Sequence, residues 1–191
     1  MLLRLAIPLC KFNGAEMTGI FSRLLGKKDT ALVDARRIYS RVMREARNPA
    51  FFGERKIADN YDGRIDLLTL HLSVVLAALQ RHGTHGTRLS QALYDVMRDD
   101  FEIAMREEGL SDTGIKRRIK PMMQLFFTRV KTYVEALQNN SDLKPIFSEG
   151  ILNGGSSEVI ATLDKHILQF EADLSEKSLG EIAMAEFSLT K

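Results

Sequence analysis

The sequence is poor in cysteine and proline and lacks tryptophan altogether: 191 residues include one cysteine, four prolines and no tryptophan. Cys10 alone cannot close an intramolecular disulfide or build a cysteine-rich zinc site, so a reducing compartment fits the chain. The longest apolar run in the body of the sequence, from Val74 to Leu79, is far shorter than the ~20 residues of a spanning helix. We therefore expect any membrane contact to be peripheral.

The residues that are present describe an ordinary globular protein. Hydrophobic residues make up 45% of the chain and charged residues 27%, as is typical of soluble folded domains. At roughly 100 to 200 residues per domain, the length predicts one helical domain over 30–191, preceded by an arm over 1–29. The formal net charge of +2 hides a positive excess before residue 135 and a negative excess in the segment from about residue 140. The positive part suits anionic partners, and the acidic part would be able to cover it.

The arm over 1–29 has more than one interpretation. Its first ten residues are mostly apolar, but Pro8 interrupts them and no signal-peptide cleavage site follows. Either Met17 is the true start of the protein, or the arm is a weak organellar targeting segment. The segment from Thr18 to Lys28 is predicted to form a short amphipathic helix, which would touch a membrane surface or pack on its own domain.

Helical periodicity runs through almost all of the remaining sequence, and no window shows the alternation of a strand. Capping residues and glycines place the helix ends, and Pro121 is predicted to bend its helix or to mark the real first turn. The predicted helices cover about residues 30–47, 62–81, 87–108, 112–138, 142–152 and 156–176, before a last short one that Gly180 interrupts. The fold class is all-α: a compact bundle of about six to eight helices around a central antiparallel hairpin of the second and third helices.

Charged residues on the apolar sides of the two hairpin helices stand out. The second helix carries one narrow polar stripe, typical of a half-buried helix, made of Asp62, Asp66, Thr69, Ser73 and Gln80. At 100° per residue, Arg64 and His71 lie almost opposite that stripe. In the third helix, Asp100 and Glu107 fall near the middle of the apolar face. Both pairs are spaced by seven residues, so the hairpin predicts a His71–Asp100 contact and an Arg64–Glu107 contact.

Two interpretations of this polar network stay open. It would be a structural device that fixes the register of the hairpin, since buried charges persist only when paired. Alternatively, it would line a polar groove that binds a partner, or serve a hydrolase in which Asp100 favours the charged form of His71 and His71 acts as general base. Against the hydrolase, no serine or cysteine nucleophile stands at a matching position.

Known catalytic and cofactor motifs are mostly missing. No histidine has a glutamate three residues before it, which a di-metal carboxylate bundle requires, and neither a phosphate-binding nor a dinucleotide-binding glycine loop occurs. The His82-x-x-His85 pair lies in a glycine-rich turn without further ligands nearby and is interpreted as a solvated loop. We therefore predict a protein that is not an enzyme, with no catalytic residue, cofactor or metal site.

Basic side chains line the exposed face of the fourth predicted helix. Arg117, Lys120 and Lys131 lie opposite its apolar stripe, and no acidic residue occurs between Asp112 and Glu135. Together with the arginines of residues 36–47, this face suits RNA, anionic lipid or an acidic partner, although a charge run is more often only a solvated face. We expect no exposed aromatic residues among these cations, which argues against readout of nucleic-acid bases.

Four segments in a fixed order resemble a known family. They are Tyr61–Leu68 with His71, Leu93–Met97 with Asp99 and Asp100, Met105–Asp112, and Ile119–Lys120 followed by Phe126, Arg129, Tyr133 and Leu137. Their order and spacing resemble the ubiquinol-cytochrome c chaperone family over about residues 34 to 138. The family is all-helical and non-enzymatic, and it assists biogenesis of the respiratory cytochrome bc complex by binding newly made cytochrome b.

The resemblance implies the partners and the location. We expect cytochrome b or another bc complex subunit as the client, the ribosome, the inner-membrane surface and a small partner chaperone as further partners, and no DNA. A bacterial protein would be cytoplasmic and peripheral to the inner membrane; a eukaryotic one would lie in the mitochondrial matrix. The alternative is an RNA- or ribosome-binding helical module that acts through Arg117, Lys120 and Lys131.

Overall fold

The computed structural model describes residues 30–152 and 155–185. Seven α-helices follow one another: α1 Thr30–Ala46, α2 Tyr61–Gln80, α3 Gly83–Glu107, α4 Asp112–Gln138, α5 Lys144–Glu149, α6 Ser157–Ser175 and α7 Leu179–Met184. A 3₁₀ helix at Pro49–Phe51 follows α1. In these two ranges there is no strand, only an isolated bridge between Phe52 and Ile57. The predicted all-α class is confirmed, and the number of helices lies within the predicted range.

Helix α2 is the central element of the bundle, since it contacts α1, α3, α4 and α6. Its apolar side chains without any exposed surface are Leu67, Leu70, Val74, Val75 and Leu79. Apolar residues of α2 occur on every side of the helix, so the neighbouring helices cover its whole circumference rather than one stripe. The other long helices are amphipathic, and each turns one face towards α2 or a helix beside it.

The polar stripe predicted on α2 faces solvent only at its ends, where Asp62 and Gln80 are exposed. Asp66, Thr69 and Ser73 are buried, with at most 8% of their surface exposed. The Thr69 hydroxyl donates to the Ile65 carbonyl and the Ser73 hydroxyl to the Thr69 carbonyl, each at 2.7 Å, so both are satisfied within the helix. The prediction was wrong for the middle of the stripe, because α4 and α6 cover the sides of α2 that it left open to solvent.

The α2–α3 hairpin is tighter than the sequence predicted. Helix α3 begins at Gly83, and a Cβ on Gly86 would lie 1.8 Å from the Leu79 carbonyl oxygen, so only glycine allows this approach. Helix α3 also packs more extensively on α1 than on α2. Both features change which residues of α2 and α3 face each other.

Helix α4 has the predicted bounds. The Ser111 hydroxyl accepts from the Gly114 amide and caps its first turn. Pro121 lies inside the helix, on its exposed surface, so it does not mark the first turn. A proline removes one backbone donor, and at an exposed position water can satisfy the carbonyl that is left.

Several predictions concern parts of the chain near its ends. Those for the arm over 1–29, including Met17 and the Thr18–Lys28 segment, lie outside the described residues. Among the helices that the structure describes, none combines the length and the apolar character needed to cross a membrane. The acidic helices α6 and α7 pack on α2 and α1. They leave the cations of α4 exposed. The predicted cover reaches other basic residues instead, since Arg41 donates to the Ala183 and Ala185 carbonyls and Arg81 pairs with Glu171.

Candidate functional site

An open groove of about 680 Å³ lies at one end of the bundle. The first turns of α2, the last turns of α3 and the first half of α4 form it. Its lining residues are Tyr61, Asp62, Ile65, Asp66, Met105, Glu108, Arg118, Pro121, Met122, Leu125 and Arg129. We refer to this cavity as the groove.

Local sequence signals fix the helix ends that frame the groove. The Asn60 side chain accepts from the Gly63 amide at 2.9 Å and caps α2. A Cβ on Gly63 would lie 2.1 Å from the Ala58 carbonyl oxygen, so the glycine lets the preceding loop pack against the helix. Gly109, with a φ of +85°, ends α3 in a conformation that disfavours other residues.

The floor of the groove is apolar and partly open to solvent. Tyr61 and Leu125 retain 52% and 49% of their surface exposed, which is high for large hydrophobic side chains. Met105 and Met122 also line the groove, and the Tyr61 hydroxyl contacts the Met122 sulfur at 3.6 Å. Methionine adapts its shape to different apolar partners. The floor can therefore accept apolar side chains of varied shape.

The walls of the groove carry charge of both signs. Asp66 of α2 and Arg129 of α4 form an ion pair, in which 12% of the Asp66 side chain and 31% of the Arg129 side chain are exposed. Arg118, Glu108 and Asp62 lie near the rim. An apolar floor between charged walls is suited to an amphipathic helix, whose apolar face enters while its polar flanks meet the rim.

The predicted His71–Asp100 contact is wrong, because His71 pairs with another histidine. Its Nδ1 donates to the Leu67 carbonyl at 2.8 Å, and its Nε2 lies 2.9 Å from Nε2 of His166 on α6. A carbonyl only accepts, so His71 is the Nδ1–H tautomer and its Nε2 accepts from His166. The Phe51 ring packs against both imidazoles, with its centroid 5.9 Å from His71 and 4.7 Å from His166.

Both histidines are held neutral. Burial, followed by repulsion from His166, lowers the pKa of His71 to about 3, and burial lowers the pKa of His166 to about 4. The expected stabilisation of the charged form of His71 is thus reversed, since no carboxylate faces the ring and desolvation disfavours its charge. His71 has no exposed surface, so no substrate can reach it as a general base.

Asp100 instead joins α3 to α1. It is an exposed residue whose Oδ2 accepts a 2.7 Å hydrogen bond from the hydroxyl of Tyr39, which is 6% exposed. Burial, with the Asp100 hydrogen bond, raises the pKa of the Tyr39 phenol above its usual value. The short hairpin turn and the packing of α3 on α1 explain why Asp100 reaches Tyr39 rather than His71.

The predicted Arg64–Glu107 contact is also wrong. Arg64 pairs with Asp59 in the loop before α2, at 2.7 Å, and Glu107 is exposed at the end of α3. The Arg64 and Asp59 side chains are themselves more than half exposed. Neither member of the predicted pair is a buried charge, so neither needs the other as a partner. The four network residues therefore do not form one site.

The basic face of α4 is as exposed as predicted: Arg117, Lys120 and Lys131 all face solvent. Lys131 lies 3.9 Å from Glu135 one turn further on. The expectation of no exposed aromatic residue among these cations is wrong, because Phe127 retains 42% of its surface exposed on this helix.

His82 and His85 lie at the start of α3, half-buried and exposed respectively. Among the described residues, no three potential ligands come together as a metal site would require. The same part of the chain has a second cavity, of about 390 Å³, between the Phe51–Ile57 loop and the start of α6. Phe51 lines this second cavity, and none of the site residues predicted from the sequence does.

Sequence reasoning missed the residues that shape the groove and the histidine pair. Asp66, Met105, Leu125 and Arg129 were not singled out as site residues, and His166 was not linked to His71. One signal was available: α2 is apolar around most of its circumference, so any polar residue on it must be buried against a partner. Nothing in the sequence indicated which partner.

Comparisons with known proteins agree with this architecture. The model of the family described as Ubiquinol-cytochrome C chaperone matches residues 54–189. The crystal structure of the Cbp3 homolog from Brucella abortus is similar at 26% sequence identity and a TM-score of 0.67, covering 81% of this chain and 87% of that chain. Among curated proteins, none matches significantly. The chain therefore belongs to the ubiquinol-cytochrome c chaperone family.

Proposed function

We propose that the chain is a non-enzymatic assembly chaperone for the ubiquinol-cytochrome c reductase complex and that it holds newly made cytochrome b in the groove. Membership of a chaperone family for this complex supports the general role. The observation that favours the groove as the client site is its half-exposed apolar floor, with Tyr61 and Leu125 open to solvent beside two methionines. Exposed apolar surface in a concave site with a polar rim is typical of a binding site.

The groove suits one part of a client helix better than a whole spanning helix. It is open along one side and has charged groups at its rim, so a bound helix keeps one face outside. A segment of cytochrome b that joins a spanning helix to the aqueous phase has this mixed character. We infer that the chaperone contacts such segments before they pack in the complex.

A catalytic role is not supported by the polar residues. His71 is enclosed, and both of its ring nitrogens are engaged. Asp100 accepts from Tyr39 on another face of the molecule. The two residues cannot act on one substrate, which removes the hydrolase considered from the sequence.

The test compares two leucines that are equally exposed. Leu125 lies in the groove and Leu168 on α6, and each retains 49% of its surface. The gene is deleted in the organism that encodes it, and copies carrying Leu125→Gln or Leu168→Gln are reintroduced. Haem difference spectra and native gels then measure the assembled bc complex.

We expect the deletion strain to lack the cytochrome b signal while its other membrane complexes remain. The copy carrying Leu168→Gln should restore the signal, and the copy carrying Leu125→Gln should not. Equal rescue by both variants would refute the groove as client site and leave the family role intact. An unchanged bc complex in the deletion strain would contradict the assembly function itself.

An RNA- or ribosome-binding module remains the second candidate, favoured by Phe127 among the cations of α4. Such binding falls steeply with salt and depends on Arg117, Lys120 and Lys131. Client binding instead depends on apolar groove residues. Crosslinking to nascent cytochrome b at two salt concentrations separates the two, and also tests whether the ribosome or a small partner chaperone is needed.

A further inference from the structure

The outer surface of α4 carries an ordered strip of side chains that neither the groove nor the core uses. Lys116, Lys120, Phe127 and Lys131 are spaced so that at 100° per residue they lie on one line along the helix. All four are exposed, and none lines the groove or the cavity beside Phe51. We refer to these four residues as the α4 strip.

Positive charge on the strip is not neutralised by its surroundings. No carboxylate of the described chain lies within ion-pair distance of Lys116 or Lys120, and only Glu135, at 3.9 Å, approaches Lys131. Two acids of α3, the helix that packs beside α4, have other partners: Asp95 accepts from Gln91, and Glu102 pairs with two arginines of its own helix. The strip therefore presents a net positive field to solvent.

Phe127 is held at the surface by a specific contact. Its ring stacks on Tyr94 of α3, with centroids 5.1 Å apart and an interplanar angle of 30°. The neighbouring Phe126 fills the core instead and is only 5% exposed. Phe127 thus has a fixed position in the middle of the lysines, and 42% of its surface remains open to solvent.

We propose that the α4 strip docks on an anionic lipid bilayer. Lysines attract the negatively charged headgroups, and an aromatic ring between them enters the boundary between headgroups and acyl chains, where aromatic side chains are favoured. The strip lies on the convex outside of a helix, which matches a flat bilayer. Single-stranded nucleic acid is usually held in a groove with several stacking platforms, and Phe127 has one of its ring faces covered by Tyr94.

This docking is independent of the client site. Arg118 and Leu125 lie on the opposite flank of α4 and line the groove. A bilayer bound along the strip therefore leaves the groove uncovered on the other side of the helix.

The test uses the full chain and lipid vesicles. The sequence has no tryptophan, so Phe127→Trp introduces a single reporter, and Leu168→Trp provides a matched reporter on α6. Vesicles of phosphatidylcholine alone are compared with vesicles that also contain phosphatidylglycerol. We expect the emission of the Phe127→Trp protein, but not of the Leu168→Trp protein, to shift to the blue with the anionic vesicles only.

A charge variant provides the second readout. Each surface cation contributes about fivefold to partitioning on anionic membranes, so Lys116→Gln, Lys120→Gln and Lys131→Gln together should weaken sedimentation with anionic vesicles about a hundredfold. The control removes as many exposed cations elsewhere, at Arg36, Lys56 and Lys165, and should have a much smaller effect. Far-ultraviolet circular dichroism establishes that both variants fold.

Three results would overturn the proposal. The first is equal vesicle binding by the wild type and the triple α4 variant, which would assign binding to another part of the chain. The second is an unshifted emission of the Phe127→Trp protein although it sediments with the anionic vesicles. The third is failure to bind anionic vesicles together with binding of a single-stranded RNA oligonucleotide that the α4 lysines support, which would assign the strip to nucleic acid. None of these results bears on cytochrome b assembly.

Discussion

The first turns and the middle of α2 lie in opposite environments. The first turns form a wall of the open groove, where Tyr61 is half-exposed. The middle is sealed against α6, where His71 has no exposed surface and pairs with His166. One helix thus supplies a binding surface in its first turns and an anchor in its middle. The comparison indicates that α6 and Phe51 hold α2 in place while the groove end is left free to accept a partner.

Polar groups in the two regions follow different physical rules. In the sealed region, neutral imidazoles satisfy each other, because a charge there would lose its hydration without a counter-ion. In the groove, Asp66 and Arg129 form an ion pair, in which each side chain faces the opposite charge and part of the arginine reaches water. We therefore expect acid to disturb the first region and charge removal to disturb the second.

The largest expected effect is acid destabilisation through the histidine pair. The folded-state pKa values of about 3 and about 4 lie below the ordinary value of 6.5. The stabilisation by neutral histidines is complete above pH 6.5 and is lost as the pH falls towards the folded values. Between pH 7.5 and pH 5, the unfolding free energy should fall by about 2 kcal/mol for each histidine. Urea unfolding at the two pH values measures the loss.

A matched variant separates this effect from general acid sensitivity. His85→Gln removes an exposed histidine and should leave the pH dependence unchanged. His166→Gln retains a side chain that donates a hydrogen bond and should flatten the dependence by about half, since one buried titrating group is gone. A wild-type unfolding free energy that is flat between pH 7.5 and pH 5 would contradict neutral burial of the pair.

The second-largest effect on stability is expected for the Asp66–Arg129 ion pair of the groove. Asp66→Ala leaves the Arg129 guanidinium without its partner, and we expect a loss of about 2 kcal/mol, below the usual cost for a fully buried pair because Arg129 is partly exposed. Arg129→Met in the same background should recover part of that loss. Additive losses in the double mutant would show that the pair is not coupled.

The sequence predicted the fold well because helix boundaries are local. Ser111 and Ser156 cap α4 and α6 as expected, and the 3.6-residue period gives the class without any knowledge of packing. The pairing of buried polar groups is not local. His71 depends on His166, 95 residues later, and a turn only two residues long between α2 and α3 is enough to move Asp100 away from it.

The groove was beyond sequence reasoning for a related reason. Met105, Met122 and Leu125 occur at helical spacings that equally predict core residues, and no local signal separates a covered apolar face from an open one. Only the assembly of α2, α3 and α4 leaves Leu125 half-exposed and Met122 partly exposed beside the buried Met105. By contrast, the order of short segments carried the family resemblance, because it reflects the whole chain rather than any one contact.

A smaller effect is expected where sequence reasoning had placed a buried charge pair. Asp100→Ala removes the acceptor of the Tyr39 hydroxyl and should cost about 1 kcal/mol, the usual value of one hydrogen bond, rather than the several expected for a broken buried pair. Tyr39→Phe should make the further Asp100→Ala change nearly neutral. A loss above about 3 kcal/mol for Asp100→Ala alone would indicate a buried charge partner that this structure does not have.

The smallest stability change is expected in the groove floor, and it is the most informative about function. Leu125 is half-exposed, so its side chain buries little apolar surface. Leu125→Gln should therefore change the unfolding free energy by less than about 0.5 kcal/mol. Leu168→Gln on α6 should do the same. If thermal unfolding shows both variants to be as stable as the wild type, a loss of bc complex confined to Leu125→Gln cannot be a folding defect. Marked destabilisation by Leu125→Gln would instead make the groove floor part of the core and remove the contrast between the first turns and the middle of α2.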